Sequence, residues 1–192
     1  MSGKKSTWEL TPTKEKISLV ALKLFSKKGF KGTTVKDIAR RVGITEGAIY
    51  RHFTSKEEIV KYLLSRITKD MKGLIEKEVL KEGNIRAQVS KLVEILANFA
   101  FDNPDAFRFL TVYHILKQNG NNSKLPGNII MGMFKNAYMR GELKISPEVA
   151  LSLIIGSVER LFILWELGII DTPRKKLVEE LKEAAVKALF GC

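Results

Sequence analysis

At 192 residues, 45% hydrophobic and 28% charged, the chain has the balance of a soluble globular protein, which excludes global disorder and leaves room for one good core or two modest ones. Its one cysteine, Cys192, excludes an internal disulfide framework and fits a reducing cytoplasm. The formal net charge is +12, and residues 1–62 carry +8 of it, so the first third suits a polyanion such as DNA.

The chain starts without a signal-peptide core, because Lys4, Lys5, Glu9, Lys14 and Lys16 interrupt it. From Lys14 to Lys28, Ile17, Val20, Ala21, Leu24 and Phe25 recur at helical spacing, and Gly29 ends this first helix. Thr34 caps a short second helix carrying Val35, Ile38, Ala39 and Val42, with Asp37 three residues on completing a near capping box. Gly43 closes it, Ile44 plugs the corner, and Thr45 caps a third helix running through Ile49 and Phe53. Two short helices around a tight glycine turn make a helix-turn-helix pattern.

Ser55 and Glu58 form an S-x-x-E capping box, which starts a fourth helix reaching towards Leu80. Ile85, Val89, Leu92, Val93, Leu96, Phe99 and Ala100 give a fifth, ending before Asp102, and Pro104 opens a sixth. Residues 118–127, QNGNNSKLPG, read as a polar, mobile loop. Further helices run from Asn128 to Arg140, from Pro147 to Leu167 and from Pro173 to the end. The apolar run 149–170 holds Glu159, Arg160 and Glu166, charges that make bilayer insertion costly, so it reads as a buried helix of a soluble protein and no membrane partner is expected. The fold class is all-α.

On a helical wheel centred on Ile49, the outward side of the third helix carries Gly47 and Arg51, with Tyr50, Ala48 and Glu46 on its flanks. A second helix of a helix-turn-helix enters the major groove N-terminus first, so these positions approach base edges, while Tyr50, Arg51, His52 and Lys56 offer donors to phosphates. Short helical pairs around glycine also occur in proteins that never touch DNA.

The run GFKGTTVKDIARRVGITEGAIYRHFTSKEEIV (29–60) resembles the N-terminal domain of the tetracycline-repressor (TetR) family of bacterial transcriptional regulators. ALKLFSKKGF (21–30) fits the same domain, and RGELKISPEVALSLIIGSVERLFILW (140–165) is similar to the family's less regular C-terminal part. The resemblance implies a DNA-binding domain over residues 1–54 and a helical ligand-binding and dimerisation domain over 55–192. It also implies a cytoplasmic homodimer on a double-stranded operator, released by a small molecule. The family's DNA contacts map onto Thr34, Thr45, Glu46, Gly47, Ala48, Tyr50, Arg51, His52 and Lys56. Many members have Lys or Arg where this chain has Glu46. That carboxylate either favours the positive end of its helix, worth about 0.3–1 kcal/mol, or accepts from a cytosine amine, worth about 1–3 kcal/mol of base discrimination.

For a lipophilic ligand, Phe99, Phe107, Tyr113, Met131, Phe134, Tyr138 and Trp165 are candidate lining residues, and His114 and Arg160 candidate anchors for a polar head. Leu151, Ile155, Val158 and Phe162, with Leu177, Leu181, Ala185 and Leu189, are candidates for half of a four-helix bundle across a two-fold axis, though both faces could equally be buried within one subunit. No glycine-rich phosphate loop, metal-ligand spacing or activated nucleophile is visible, so neither a cofactor nor an enzymatic activity is expected. The competing reading is an all-helical lipid-binding or adaptor protein with a basic surface and no sequence-specific DNA binding.

Overall fold

The computed structural model describes residues 13–116 and 126–191, with the side chains of 113–116 left out of that description. In chain order the helices are α1 (Thr13–Lys28), α2 (Val35–Val42), α3 (Glu46–Tyr50), α4 (Lys56–Leu74), α5 (Ile85–Asp102), α6 (Pro104–Leu116), α7 (Pro126–Met139), α8 (Pro147–Glu166) and α9 (Arg174–Phe190). No strand occurs among the described residues. Past Leu74, α4 widens into a π-helical turn, Ile75–Val79, in which Leu80 N–H donates to Ile75 O at 3.1 Å.

Most boundaries follow from the caps. Thr34 Oγ1 accepts from Asp37 N–H while Asp37 Oδ2 accepts from Thr34 N–H, so the α2 box is reciprocal. At α4 only half of the expected box forms. Ser55 Oγ accepts from Glu58 N–H at 3.2 Å, but the Glu58 carboxylate reaches one residue further back, to the N–H and hydroxyl of Thr54. Two donors just before the helix are satisfied instead of the Ser55 N–H. α3 is shorter than expected, although His52 N–H and Phe53 N–H still bond to Ile49 O and keep Phe53 in the core. α7 begins earlier, because Pro126 suits a first helical position. The rest of the expected polar loop, 118–125, lies outside the described residues.

Three apolar clusters hold the chain together. The N-terminal one joins α1, α2 and α3 to the first half of α4 through Ile17, Phe25, Ile38, Ile49, Phe53, Ile59 and Leu63, and it also takes Ala106 and Phe109 from α6. A second unites the end of α4 with α5, α7, α8 and α9, and a third fills the space between α5, α6, α8 and α9 with aromatic rings packed mostly edge to face. Phe99 packs against all three. The expected domain boundary at residues 54 and 55 thus falls ahead of a helix whose first half belongs to the N-terminal core.

Candidate nucleic-acid interface and ligand cavity

Gly43 makes the helix-turn-helix corner. Its φ of +83° is a left-handed conformation that costs a side-chain-bearing residue energy, and it lets both Gly43 N–H and Ile44 N–H bond to Ala39 O, at 2.9 and 3.0 Å. Ile44 then turns inward against the core. Thr45 Oγ1 accepts from Ala48 N–H and starts α3. In the preceding turn a Cβ on Gly32 would stand 2.4 Å from Lys28 O, so only glycine fits there.

Of the expected DNA contacts, Thr34, Thr45, Glu46, Gly47, Tyr50 and Arg51 are solvent-exposed, while Ala48 and His52 are half-buried. The inward side of α3 is Ile49, fully buried. Glu46 makes no hydrogen bond or ion pair among the described residues, so nothing within them withholds it from a partner. On α2, Lys36, Arg40 and Arg41 add exposed positive charge, with Arg40 bonded to Asp37 Oδ1 at 3.0 Å.

Lys56 does something the sequence does not announce. Its Nζ donates to Phe30 O at 2.7 Å and Thr33 O at 2.8 Å and lies 4.1 Å from the centre of the Phe30 ring. The ammonium ties α4 to the α1–α2 turn, with two of its three N–H groups committed to that strut.

Asp37 and Glu58 are both held below their ordinary carboxyl range. For Asp37 the leading cause is the hydrogen bond from the Thr34 hydroxyl; for Glu58 it is the backbone N–H of Thr54. Both are acids of the first helical turn, where charge is favoured.

Below this domain lies a cavity of about 400 Å³. Its walls are Thr68 and Met71 of α4, Leu96 and Phe99 of α5, Phe107, Leu110 and Thr111 of α6, the first turn of α7 with Ile130 and Met131, and Leu151, Ile155, Val158 and Glu159 of α8. Phe99, Phe107 and Met131 are thus where the sequence places them. Phe134 is instead fully buried in the second cluster, Tyr138 is half-exposed at the surface, and Trp165 packs edge-on against Phe101 with ring centres 5.2 Å apart. Tyr113 and His114 fall outside the described side chains. Arg160 faces solvent and its neighbour Glu159 lines the cavity, because adjacent residues diverge by about 100° on a helix.

The expected dimer residues are likewise used within the subunit. Val158, Phe162, Leu177, Ala185 and Leu189 are buried, Leu151 and Ile155 line the cavity, and Leu181 packs on the internal clusters. What α8 leaves exposed is a different stripe, Val149, Leu153, Gly156 and Ile163, continued by Leu167 just past its end.

Residues 17–63 match the model of the bacterial regulatory proteins of the TetR family, and this span covers the whole helix-turn-helix with the glycine corner and both caps. These residues form a TetR-family domain. In bacterial regulators of that family this domain is the DNA-binding helix-turn-helix. Over 94% of its length the chain is 26% identical to YvkB of Bacillus subtilis, an uncharacterised helix-turn-helix regulator of which it covers 98%. It is 31% identical over 96 residues, half of its own length, to the nucleoid occlusion factor SlmA of Haemophilus ducreyi, and the match spans about half, 48%, of that relative. The fold is shared with the FadR regulator of Bacillus subtilis, solved with stearoyl-CoA, at a TM-score of 0.69 and 18% identity over 91% of this chain and 98% of that one. Among the described residues no helix is long and apolar enough to cross a membrane.

Proposed function

We propose that the chain acts in the cytoplasm as a homodimeric repressor that holds a pseudo-palindromic operator and lets go when a lipophilic small molecule enters the cavity. The observation that carries this reading is the double duty of α4 and α6. α4 sends Ile59, Leu63 and Ile67 into the DNA-binding core and Met71 to the cavity wall. α6 sends Phe109 to the same core and Phe107, Leu110 and Thr111 to the cavity. An occupant that displaces these walls therefore moves the frame that aims α3, shifting the chain between two spacings of its recognition helices.

DNA contacts on this reading are Thr34, Thr45 to Ala48, Tyr50, Arg51 and His52, with Lys56 acting chiefly through the turn it braces. The partner subunit docks on the exposed α8 stripe centred on Gly156, where a missing side chain lets two helices approach closely, and two recognition helices about 34–36 Å apart then read two half-sites. Selection of duplexes from a random pool at near-physiological salt tests it. An enriched palindrome supports an operator-reading dimer; no enrichment, with retention that vanishes as salt rises, favours the adaptor.

A further inference from the structure

Among the described residues, every polar side chain in the cavity wall already has a partner. Thr68 Oγ1 donates to Leu64 O at 2.6 Å and Thr111 Oγ1 to Arg108 O at 3.0 Å, so each hydroxyl commits its only hydrogen to its own helix. Asn128 and Glu159 are likewise held by partners of their own. No lysine, arginine or histidine stands among the described wall residues. An anion entering this space would meet no cation there and would face the charge of Glu159, while a cation would find that carboxylate already engaged. Either ion would lose hydration that the wall does not replace.

What the wall does present is rings and sulfur. Phe99 packs against all three apolar clusters and is still only partly buried, and Phe107 stands edge-on to it with ring centres 6.5 Å apart. Met71 and Met131 bring two polarisable thioethers to the same space. Aromatic partners gain from offset and edge contacts with such rings beyond the area they bury. The cavity's volume of about 400 Å³ lies near the lower end of the range of about 300–1,000 Å³ for small-molecule sites, which suits a compact occupant.

We propose that the effector is a compact, uncharged aromatic molecule, seated against Phe99 and Phe107 and recognised by shape rather than through a charged head group. This rests on the cavity being the effector site. It sets the chain apart from the fold neighbour solved with stearoyl-CoA, because coenzyme A phosphates would find no cation in the described wall. Arg160, expected from the sequence as an anchor for a polar head, faces solvent, which fits a ligand without one.

The test is calorimetric titration of the full chain with 2-naphthol, 2-naphthoate and 2-naphthylmethylamine, which share one ring system and differ in charge at neutral pH, and with decanol, a neutral chain of similar size. High salt screens the general attraction of a +12 protein for anions. 2-Naphthol is expected to bind about tenfold more tightly than either ion and about threefold more tightly than decanol. Either ion binding as tightly as 2-naphthol, or decanol doing so, would overturn the proposal while leaving the cavity intact as a site. Ile155→Trp fills the cavity and is expected to abolish 2-naphthol binding with helical content unaltered by circular dichroism, which supports both readings. Binding unchanged in that variant, or no binding by any of the four probes, would overturn the cavity reading itself.

Discussion

Gly47→Ala is expected to move stability and DNA affinity in opposite directions. In the free chain a Cβ at residue 47 meets nothing closer than Thr45 Oγ1 at 3.9 Å, so the fold has room for the methyl. Alanine also loses less backbone freedom than glycine on entering a helix, which stabilises by up to about 0.5–1 kcal/mol. For a chain of this size that corresponds to a rise in Tm of about 1–4 °C. In the complex the same methyl stands on the outward side of the recognition helix, where the backbone is expected to approach base edges. Overfilling a close-packed contact costs about 1–3 kcal/mol, which is about a fivefold to 150-fold loss of operator affinity. Thermal unfolding followed by circular dichroism reads the first effect, and fluorescence anisotropy on the selected operator reads the second. A variant that unfolds earlier would show that residue 47 lacks the space described. One that is more stable and binds DNA unchanged would show that this face of α3 does not meet the groove.

Lys56→Met removes two charge-assisted hydrogen bonds to the α1–α2 turn, and is expected to cost about 1.5–3 kcal/mol of stability while leaving the salt dependence of DNA binding unchanged. A salt slope lower by about one unit, with stability intact, would instead make Lys56 a phosphate contact. Ser26 Oγ donates to Asp105 Oδ1 at 2.6 Å, and Arg108 joins the same oxygen at 3.0 Å and Glu166 at 3.5 Å, a polar chain from α1 through α6 to α8. A double-mutant cycle with Ser26→Ala and Asp105→Ala should return a coupling of about 1 kcal/mol; simple additivity would show that the link carries no energy. Asp37 and Glu58 titrate below their ordinary range in the folded chain, so the stability they add is present above about pH 4 and is lost as pH falls through the depressed values. Thr34→Val, which removes the hydroxyl bonded to Asp37, should flatten that acid-side loss in unfolding measured against pH. On the selected operator, Glu46→Ala should relax preference at one base pair by about 1–3 kcal/mol if the carboxylate reads a cytosine; unchanged preference would leave it only its place at the helix end.

Helix identity and order were legible because caps and periodicity act locally. Thr34, Gly43, Thr45 and Ser55 mark starts and stops through bonds that span four residues or fewer. Which partner covers an apolar face is not local. α8 has apolar residues on more than one side, and the richer face, with Val158 and Phe162, went to the subunit's own core while Val149, Leu153 and Ile163 stayed exposed. Charge placement failed for the same reason. Lys56 looks like any exposed lysine until Phe30 and Thr33 are brought beside it from 26 and 23 residues away, and which of the neighbours Glu159 and Arg160 lines the cavity depends on a rotation that hydropathy alone does not set.

In the stretch from Thr45 to Arg51 only Ile49 is fully enclosed, and with Phe53 it holds α3 against the core. The side chains that keep the helix in place are therefore not the ones turned outward. Such a division lets the outward residues be exchanged in combination without each change reopening the problem of folding, so the DNA sequence addressed by this scaffold can drift or be redesigned faster than the scaffold itself. The same partition limits the reach of such changes, because with five residues in α3 the alphabet available for a new address is short.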